Sequence, residues 1–258
     1  MKKVLICILL FLNFNLVCSQ ELDTIYPHLD ANYQVKISHL IECFKNNDKE
    51  KIGDLIVYPL SREYPVSDIK NRKEFISRFD EIFDDTLIKM IISSNPALDW
   101  SEVGWRGIML LRGEIWVNTD GEITGINYQT TKENNIKNKL IATDKKSIHS
   151  SLSTFERPVY ILETTKFRIR IDDLGESNYR YASWPISKSM SEKPDLIILK
   201  GEFIWDGTGG NHKIVFNNAG YIYECSIIII GLDDSPPAIL TVTKKGKNIL
   251  TQKAKIID

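Results

Sequence analysis

Apolar positions recur every three or four residues through the first third of the chain, the spacing of one face of an α-helix. Asn71 and Glu74 add the spacing of a capping box, with asparagine in the serine or threonine position. Pro59 and Pro96 each prevent a preceding helix from continuing. Four helices are predicted, over residues 31–46, from Asn47-Asp48 to near Ile56, over 72–83, and from Asp84 or Asp85 to before Asn95.

The pattern changes to alternation of apolar and polar residues after residue 100, which is typical of strands with one wet face. Turn residues at Arg112-Gly113 and Asp120-Gly121 divide this region. They predict strands over Val103–Leu110, Glu114–Asn118 and Ile123–Tyr128. Helices followed by a strand meander indicate an α+β domain, with a curved sheet around a helical layer.

After residue 155 the pattern predicts strands only, joined mostly by tight turns. Seven or eight strands in the last hundred residues favour a small antiparallel barrel or sandwich. Ser226–Ile230 is nearly all isoleucine, so that strand is expected to be buried on both faces. The predicted strands are Lys166–Asp172, Asn178–Trp184, Asp195–Trp205, Asn211–Phe216, Tyr221–Ile230, Ala238–Thr243 and Asn248–Ile256.

A stretch rich in Lys, Asn, Ser and Thr separates these two regions and is expected to be a polar linker. A short ordered piece is allowed around Leu140-Ile141. The predicted fold class is thus an α+β domain followed by an all-β antiparallel barrel or sandwich domain. The predicted boundaries are a signal peptide at 1–19, the α+β domain at 20–130, the linker at 131–155 and the β-domain at 156–258.

The first domain resembles the NTF2-like (cystatin-like α+β) superfamily. Its order of elements is similar, and so are two closing motifs, Gly113-Glu114-Ile115-Trp116 and Asp120-Gly121-Glu122-Ile123. The resemblance covers about residues 28–130. It implies a cone-shaped fold with a pocket between helices and sheet, and it implies no activity, because that fold serves enzymes, binding proteins and spacers alike.

The N-terminus has the pattern of a cleavable signal peptide. A basic start at Lys2-Lys3 is followed by the apolar run Val4–Val17, and Ser19 supplies a small residue before the expected cleavage site. The run is shorter than the roughly 18–20 apolar residues of a membrane span. Cys18 allows the alternative of lipid anchoring, although Leu16-Val17 does not fit the small residues expected before a lipidated cysteine. The protein is therefore expected to be exported, either periplasmic or extracellular, with no transmembrane segment in the mature chain.

Charge and cysteine content narrow the classes of partner and cofactor. Removing residues 1–19 deletes two lysines and no acids, so the formal net charge changes from −1 to −3. This gives no basic excess for a nucleic-acid partner. The four histidines are scattered, so no metal site and no cofactor is predicted. Cys43 and Cys225 lie in different predicted domains and are expected to be buried free thiols rather than a disulfide.

The NTF2-like pocket is the first candidate site. If Arg106 and Glu114 point inward beside Trp116, they form a buried ion pair or meet a polar ligand; otherwise they are a cross-strand pair on the surface. Enzymes of this superfamily place an acid–base Asp or His in the cavity, and no histidine falls on these strands. The candidate pocket residues are Asp80, Asp99, Arg106, Glu114 and Trp116.

Aromatic residues of the β-domain are the second candidate, as an interaction surface. Exposed aromatics bind sugars and peptides in exported proteins, whereas aromatics on strands commonly pack in the core. Tyr181 and Trp184 precede a polar loop, which favours exposure, and Trp205 ends the next predicted strand. The turn Gly207–Gly210 is expected to be a hairpin tip rather than a phosphate loop, because a strand follows it. A calcium site at Asp206 and Asn211 lacks the number of oxygen ligands required.

These observations lead to one principal hypothesis and two alternatives. The principal hypothesis is an exported, non-enzymatic binding or inhibitor protein, acting on an envelope or extracellular protein or glycan of a bacterial cell. One alternative is a small hydrolase or lyase that uses the NTF2-like pocket. The other treats the first domain as a spacer that presents the β-domain.

Cleavage after Ser19 makes Gln20 the first residue of the exported chain. We expect N-terminal peptide mass spectrometry of protein recovered outside the cytoplasm to find Gln20 at the terminus. A chain that begins at a lipid-bearing Cys18 would instead establish anchoring.

Overall fold

A computed structural model describes residues 29–257 and divides them into two compact units. The first unit contains residues 29–60 and 69–130, and the second contains 61–68 and 131–257. The predicted signal peptide lies outside the described residues. None of the helices in the described part is long and apolar enough to cross a membrane.

The first unit begins with the four predicted helices, and all four are confirmed. Each starts at a polar residue whose side chain accepts a hydrogen bond from a backbone N–H of the first turn, which satisfies a donor that the helix itself cannot. The capping residues are Asp30, Asp48, Asn71 and Asp84. The helices are α1 (Ala31–Lys45), α2 (Lys49–Asp54), α3 (Arg72–Ile82) and α4 (Asp85–Ser93).

A four-stranded antiparallel sheet completes this unit, with its strands adjacent in chain order. The predicted strand over Val103–Leu110 is wrong in its first half, because Gly104–Arg106 forms a turn of 3-10 helix. Gly107 explains the interruption: its φ is +91°, and a Cβ there would overlap the Val117 carbonyl. The strands are β1 (Trp100–Glu102), β2 (Ile108–Leu110), β3 (Ile115–Val117) and β4 (Ile123–Ile126).

The second unit is a closed antiparallel barrel of eight strands, which decides the predicted choice between barrel and sandwich. Each strand pairs with its neighbours in the chain, and the last pairs with the first through Lys255–Ile257 and Ile161–Glu163. The strands are β5 (Arg157–Glu163), β6 (Phe167–Asp173), β7 (Tyr179–Pro185), β8 (Leu196–Trp205), β9 (His212–Asn218), β10 (Tyr221–Ile227), β11 (Ala238–Lys244) and β12 (Lys247–Ile257).

Large side chains fill the barrel interior. The ring of Tyr181 lies 5.5 Å from those of Phe216 and Tyr223, and a Cβ on Gly201 would overlap the Phe216 ring. Cys225 belongs to the same core, and burial raises the pKa of its thiol to about 12, so it is protonated and inert near neutral pH. Cys43 and Cys225 are both buried free thiols, as predicted.

The predicted polar linker over 131–155 is wrong. Thr131–Ser147 forms helix α5, and Ser150–Leu152 forms a turn of 3-10 helix. Apolar residues after and within the helix pack with Trp184 and Ala182 of β7 in a small cluster outside the barrel. The helix shows little apolar periodicity in its sequence, and much of its contact with the barrel is ionic. Asp144 accepts two hydrogen bonds, 3.0 and 2.5 Å long, from Arg170 of β6.

The attachment of α5 continues into a buried ion network on the outer face of the barrel. The carboxylate of Asp172 is fully buried between two guanidinium groups, at 2.7 Å from Nε of Arg170 and 2.6 Å from Nη2 of Arg180. Arg180 also donates to the carbonyls of Leu152 and Thr154. Every charge in this network has a partner, which is the condition under which buried ions are tolerated.

A second buried ion pair holds the segment 61–68 within the same unit. Arg62 donates through Nε and Nη2 to the two carboxylate oxygens of Glu133, at 2.5 and 2.6 Å. Both side chains are almost completely shielded from solvent. This two-bond geometry fixes the segment against the first turn of α5.

Asp172→Ala should destabilise the protein strongly. It leaves two buried guanidinium groups without their shared carboxylate, a change that typically lowers the free energy of unfolding by about 3–5 kcal/mol. Urea denaturation followed by circular dichroism measures the loss. Asp195→Asn is the control, since its ion pair with Lys188 is exposed and its removal should leave the denaturation midpoint almost unchanged.

Candidate functional site at one end of the barrel

The acidic residues predicted to line an NTF2-like pocket each have another local contact. Asp80 is exposed on α3 and pairs with Lys49 of α2, with 2.9 Å between Oδ1 and Nζ. Asp99 closes a turn by accepting the backbone N–H of Asn95 at 2.7 Å. These contacts stabilise the local structure and direct both carboxylates to their own elements.

Arg106 is exposed, and its guanidinium lies 5.7 Å from the centre of the Trp116 ring. The structure thus brings these two candidates together as a cation–π contact at the surface. Glu114 is half-buried at the start of β3, and its backbone carbonyl accepts the N–H of Asn127. The inward orientation that an ion pair in the pocket requires is therefore not seen for Arg106.

Two of the three aromatics predicted to form an interaction surface are buried. Tyr181 faces the barrel interior, and Trp184 is completely covered by the cluster beside α5. Trp184 also donates its indole N–H to the carbonyl of Glu192 at 2.8 Å, which folds the following loop back over it. Their predicted exposure is wrong. Trp205 is 66% exposed, as that prediction requires.

Trp205 lies at one end of the barrel, beside further exposed apolar residues for which the hydrophobic pattern predicts a buried strand. Strand β10 ends at Ile227, so the predicted burial of Ile229 and Ile230 is wrong: they are 62% and 49% exposed. Leu232 follows at 80% exposed. We call Trp205, Ile229, Ile230 and Leu232 the apolar rim.

The register of the strands brings the two halves of this rim together. Trp205 pairs with His212 across the β8–β9 hairpin, and His212 pairs with Ile227 of β10. The connections 206–211 and 228–237 therefore leave the barrel side by side. Trp205 lies 4.9 Å from the ring of Phe203, so it extends the row of inward-facing side chains past the end of the barrel.

Asn211 fixes the rim by joining the two connections. Its Oδ1 accepts the backbone N–H groups of Ile229 and Ile230, each at 2.8 Å, and its Nδ2 donates to the carbonyl of Ile230 at 2.8 Å. All three bonds come from one side chain, so the exposed isoleucines have an ordered backbone. The Asn211 amide is thereby occupied, and Gly207 and Gly210 have positive φ as expected for a hairpin tip.

A polar contact lies directly beneath the rim. Nδ1 of His212 donates to the carbonyl of Gly210 at 2.8 Å, which leaves Nε2 to accept from the hydroxyl of Tyr160 at 2.9 Å. The His212 ring also stacks on Phe203, with 4.6 Å between their centres. Burial raises the pKa of Tyr160, so its hydroxyl remains a donor at neutral pH. These contacts close the barrel end and support Trp205 from below.

A shallow groove of about 560 Å³ on the outside of the barrel offers a second surface, between Phe155, Leu174, Ile197 and Leu199. Arg180 reaches this groove, but each nitrogen of its guanidinium already donates to a protein oxygen. The Arg180 guanidinium is therefore occupied, and the polar residues that line the groove are Ser151, Thr154 and Glu156.

The comparisons with known proteins add no relative. No family model, no curated protein and no solved structure matches this chain. Within residues 29–257, no group of three or more His, Cys, Asp or Glu side chains could hold a metal ion. The apolar rim is therefore identified as the candidate site from its geometry alone.

Asn211→Ala should loosen the rim while the barrel stays folded. Loss of three hydrogen bonds should lower the free energy of unfolding by about 1–3 kcal/mol. It should also accelerate hydrogen exchange at the amides of Ile229 and Ile230, measured by NMR. Asn248→Ala is the matched control, because that side chain makes a single exposed bond to Thr251. Unchanged exchange at both isoleucines would contradict the role given to Asn211.

Proposed function

We propose that this protein is an exported, non-enzymatic binding protein that captures its target with the apolar rim of the barrel. One observation carries the proposal: four large apolar side chains, one of them tryptophan, project together from an end of the barrel that Asn211 holds in place. Soluble surfaces expose contiguous apolar patches mainly where they bind something.

The composition of the rim suits recognition of a macromolecule. Tryptophan is enriched among the residues that dominate binding energies, and burying one removes about 150–250 Å² from water. Burying an isoleucine or leucine contributes about 1.5–3 kcal/mol before the costs of association. Because Asn211 orders the backbone beforehand, less conformational entropy is lost when a target binds.

Binding is favoured over catalysis by the side chains at hand. At the barrel end, His212 bonds to the Tyr160 hydroxyl and to the carbonyl of Gly210, and the Trp205 ring lies 5.6 Å from the His212 ring. In the first unit the candidates for a hydrolase or lyase have separate local contacts at Lys49, Asn95 and Trp116. General acid–base catalysis needs a group positioned against the reacting atoms, and these side chains are already held by other protein contacts.

Export and the superfamily of the first unit belong to the same proposal. The N-terminal pattern supports secretion to an envelope or extracellular site, where a protein or glycan target would be met. Four capped helices followed by a four-stranded antiparallel meander support an NTF2-like fold, with a structural or presenting role for that unit.

Site-specific photocross-linking in living cells tests the proposed surface. A photoreactive amino acid at Leu232, within the rim, should yield a discrete cross-linked product with the target. The same amino acid at Ile249, which is 54% exposed on β12, should yield none. Equal products from both positions would argue against a defined site.

Trp205→Ser should lower the yield of that product at least about tenfold, since truncating a central tryptophan typically costs 2 kcal/mol or more. Trp105→Ser is the matched control: Trp105 is 68% exposed and lies in the first unit. If Trp105→Ser lowers the yield and Trp205→Ser does not, the target binds elsewhere.

A further inference from the structure

The two ends of the barrel differ in charge. Three connections leave the barrel at the rim end, 174–178, 206–211 and 228–237, and together they carry four acids and no lysine or arginine. The four connections at the opposite end carry four lysines and two acids. The acids at the rim end are Glu176, Asp206, Asp233 and Asp234. The lysines at the other end are Lys166, Lys188, Lys193 and Lys245.

The aspartates lie within the rim itself. Asp206 directly follows Trp205, and Asp233 and Asp234 directly follow Leu232; all three are exposed. Cations that begin strands at this end are already paired. Arg157 bonds to Asp173 at 3.1 Å, and Lys213 bonds to Glu224 at 2.9 Å. Lys253 and Lys255 are exposed where β12 passes Ala238, toward the same end. The negative border is therefore formed by the connections themselves, around the apolar centre.

We propose that the rim binds a polypeptide segment in which aliphatic residues are flanked by lysine or arginine. This inference rests on the proposed function and adds the chemistry of the target. Isoleucine, leucine and tryptophan side chains would cover the aliphatic residues, while Asp206, Asp233 and Asp234 would face the basic ones. Such complementarity accelerates encounter and excludes acidic competitors.

The negative charge of the border also disfavours two other possible occupants of an apolar patch, a membrane surface and a second copy of this chain. An anionic membrane surface would be repelled by the aspartates that border the rim. The lysine-rich end of a second copy would bring Glu192 and Asp195 of its connections toward the aspartates of the rim. A cationic, aliphatic segment complements both the apolar centre and the negative border of the rim.

Synthetic peptides test this chemistry on protein purified after expression from its full-length gene. The first probe is a labelled peptide of leucines and lysines; the second replaces each lysine by glutamate, and the third replaces each leucine by serine. Fluorescence anisotropy should show binding of the first probe at least about tenfold tighter than of the other two. Raising NaCl from about 0.05 M to about 0.5 M should weaken it, because the Debye length falls severalfold.

Two variants locate the effect. Neutralising the border with Asp206→Asn, Asp233→Asn and Asp234→Asn together should weaken the lysine probe about tenfold and remove its salt dependence. Trp205→Ser should abolish binding of all probes. Circular dichroism confirms that each variant is folded, and a control in which Lys244 and Lys245 become Gln should bind as the unaltered protein does.

Other outcomes overturn the inference. Binding of the glutamate probe as tightly as the lysine probe would exclude a cationic target, as would binding to phosphatidylglycerol vesicles that Trp205→Ser abolishes. Self-association in sedimentation that the Lys244 and Lys245 variant abolishes would assign the rim to a second copy. If Trp205→Ser removes the cross-link at Leu232 but aspartate neutralisation leaves it unchanged, the target chemistry is wrong and the proposed function stands. If Trp205→Ser changes no binding, both fail.

Discussion

Closure of the barrel is the constraint on which the second unit depends. Eight strands enclose a space just wide enough for side chains or one small ligand. Here Tyr181, Phe216 and Tyr223 occupy it, and Gly201 lacks a side chain because the Phe216 ring takes that room. A filled barrel has no sheet edge and little internal space to offer a ligand. The surfaces of this unit that another molecule can reach are therefore its connections and outer faces.

The outer face at β6 and β7 is occupied by the chain itself. Asp172 is buried between Arg170 and Arg180, and these two partners make its burial possible, since an isolated ion would not be tolerated there. Asp144 extends the network to α5 through its ion pair with Arg170. Helix α5 and the barrel are consequently joined by these ionic contacts and, separately, by the apolar cluster around Trp184. At the rim, by contrast, ordered backbone and exposed apolar side chains coincide.

Local chemistry made much of this structure predictable. Capping side chains fix where helices begin, and tight turns fix hairpins, so the four N-terminal helices and most barrel strands follow from short segments. Helix α5 was missed because its contacts are made by Asp144 and Glu133, which a hydrophobic pattern does not register. The burial of Trp184 escapes sequence reasoning for a related reason: the loop that covers it is held by contacts such as the bond from the Trp184 indole to the carbonyl of Glu192 and that from the N–H of His149 to the carbonyl of Met190. Such contacts join distant parts of the chain and have no local signature.

The isoleucine run shows why the apolar rim cannot be predicted from the sequence alone. Hydrophobicity alone predicts that residues 226–230 are buried, and up to Ile227 they follow the strand. Beyond that point Asn211, some eighteen residues earlier in the chain, binds the backbone of Ile229 and Ile230, whose side chains are exposed. Three hydrogen bonds from Asn211 fix the backbone from which these isoleucine side chains emerge. Single exposed apolar residues are ordinary on protein surfaces, whereas several on one ordered backbone, bordered by aspartates, are the observation on which the proposed binding function rests.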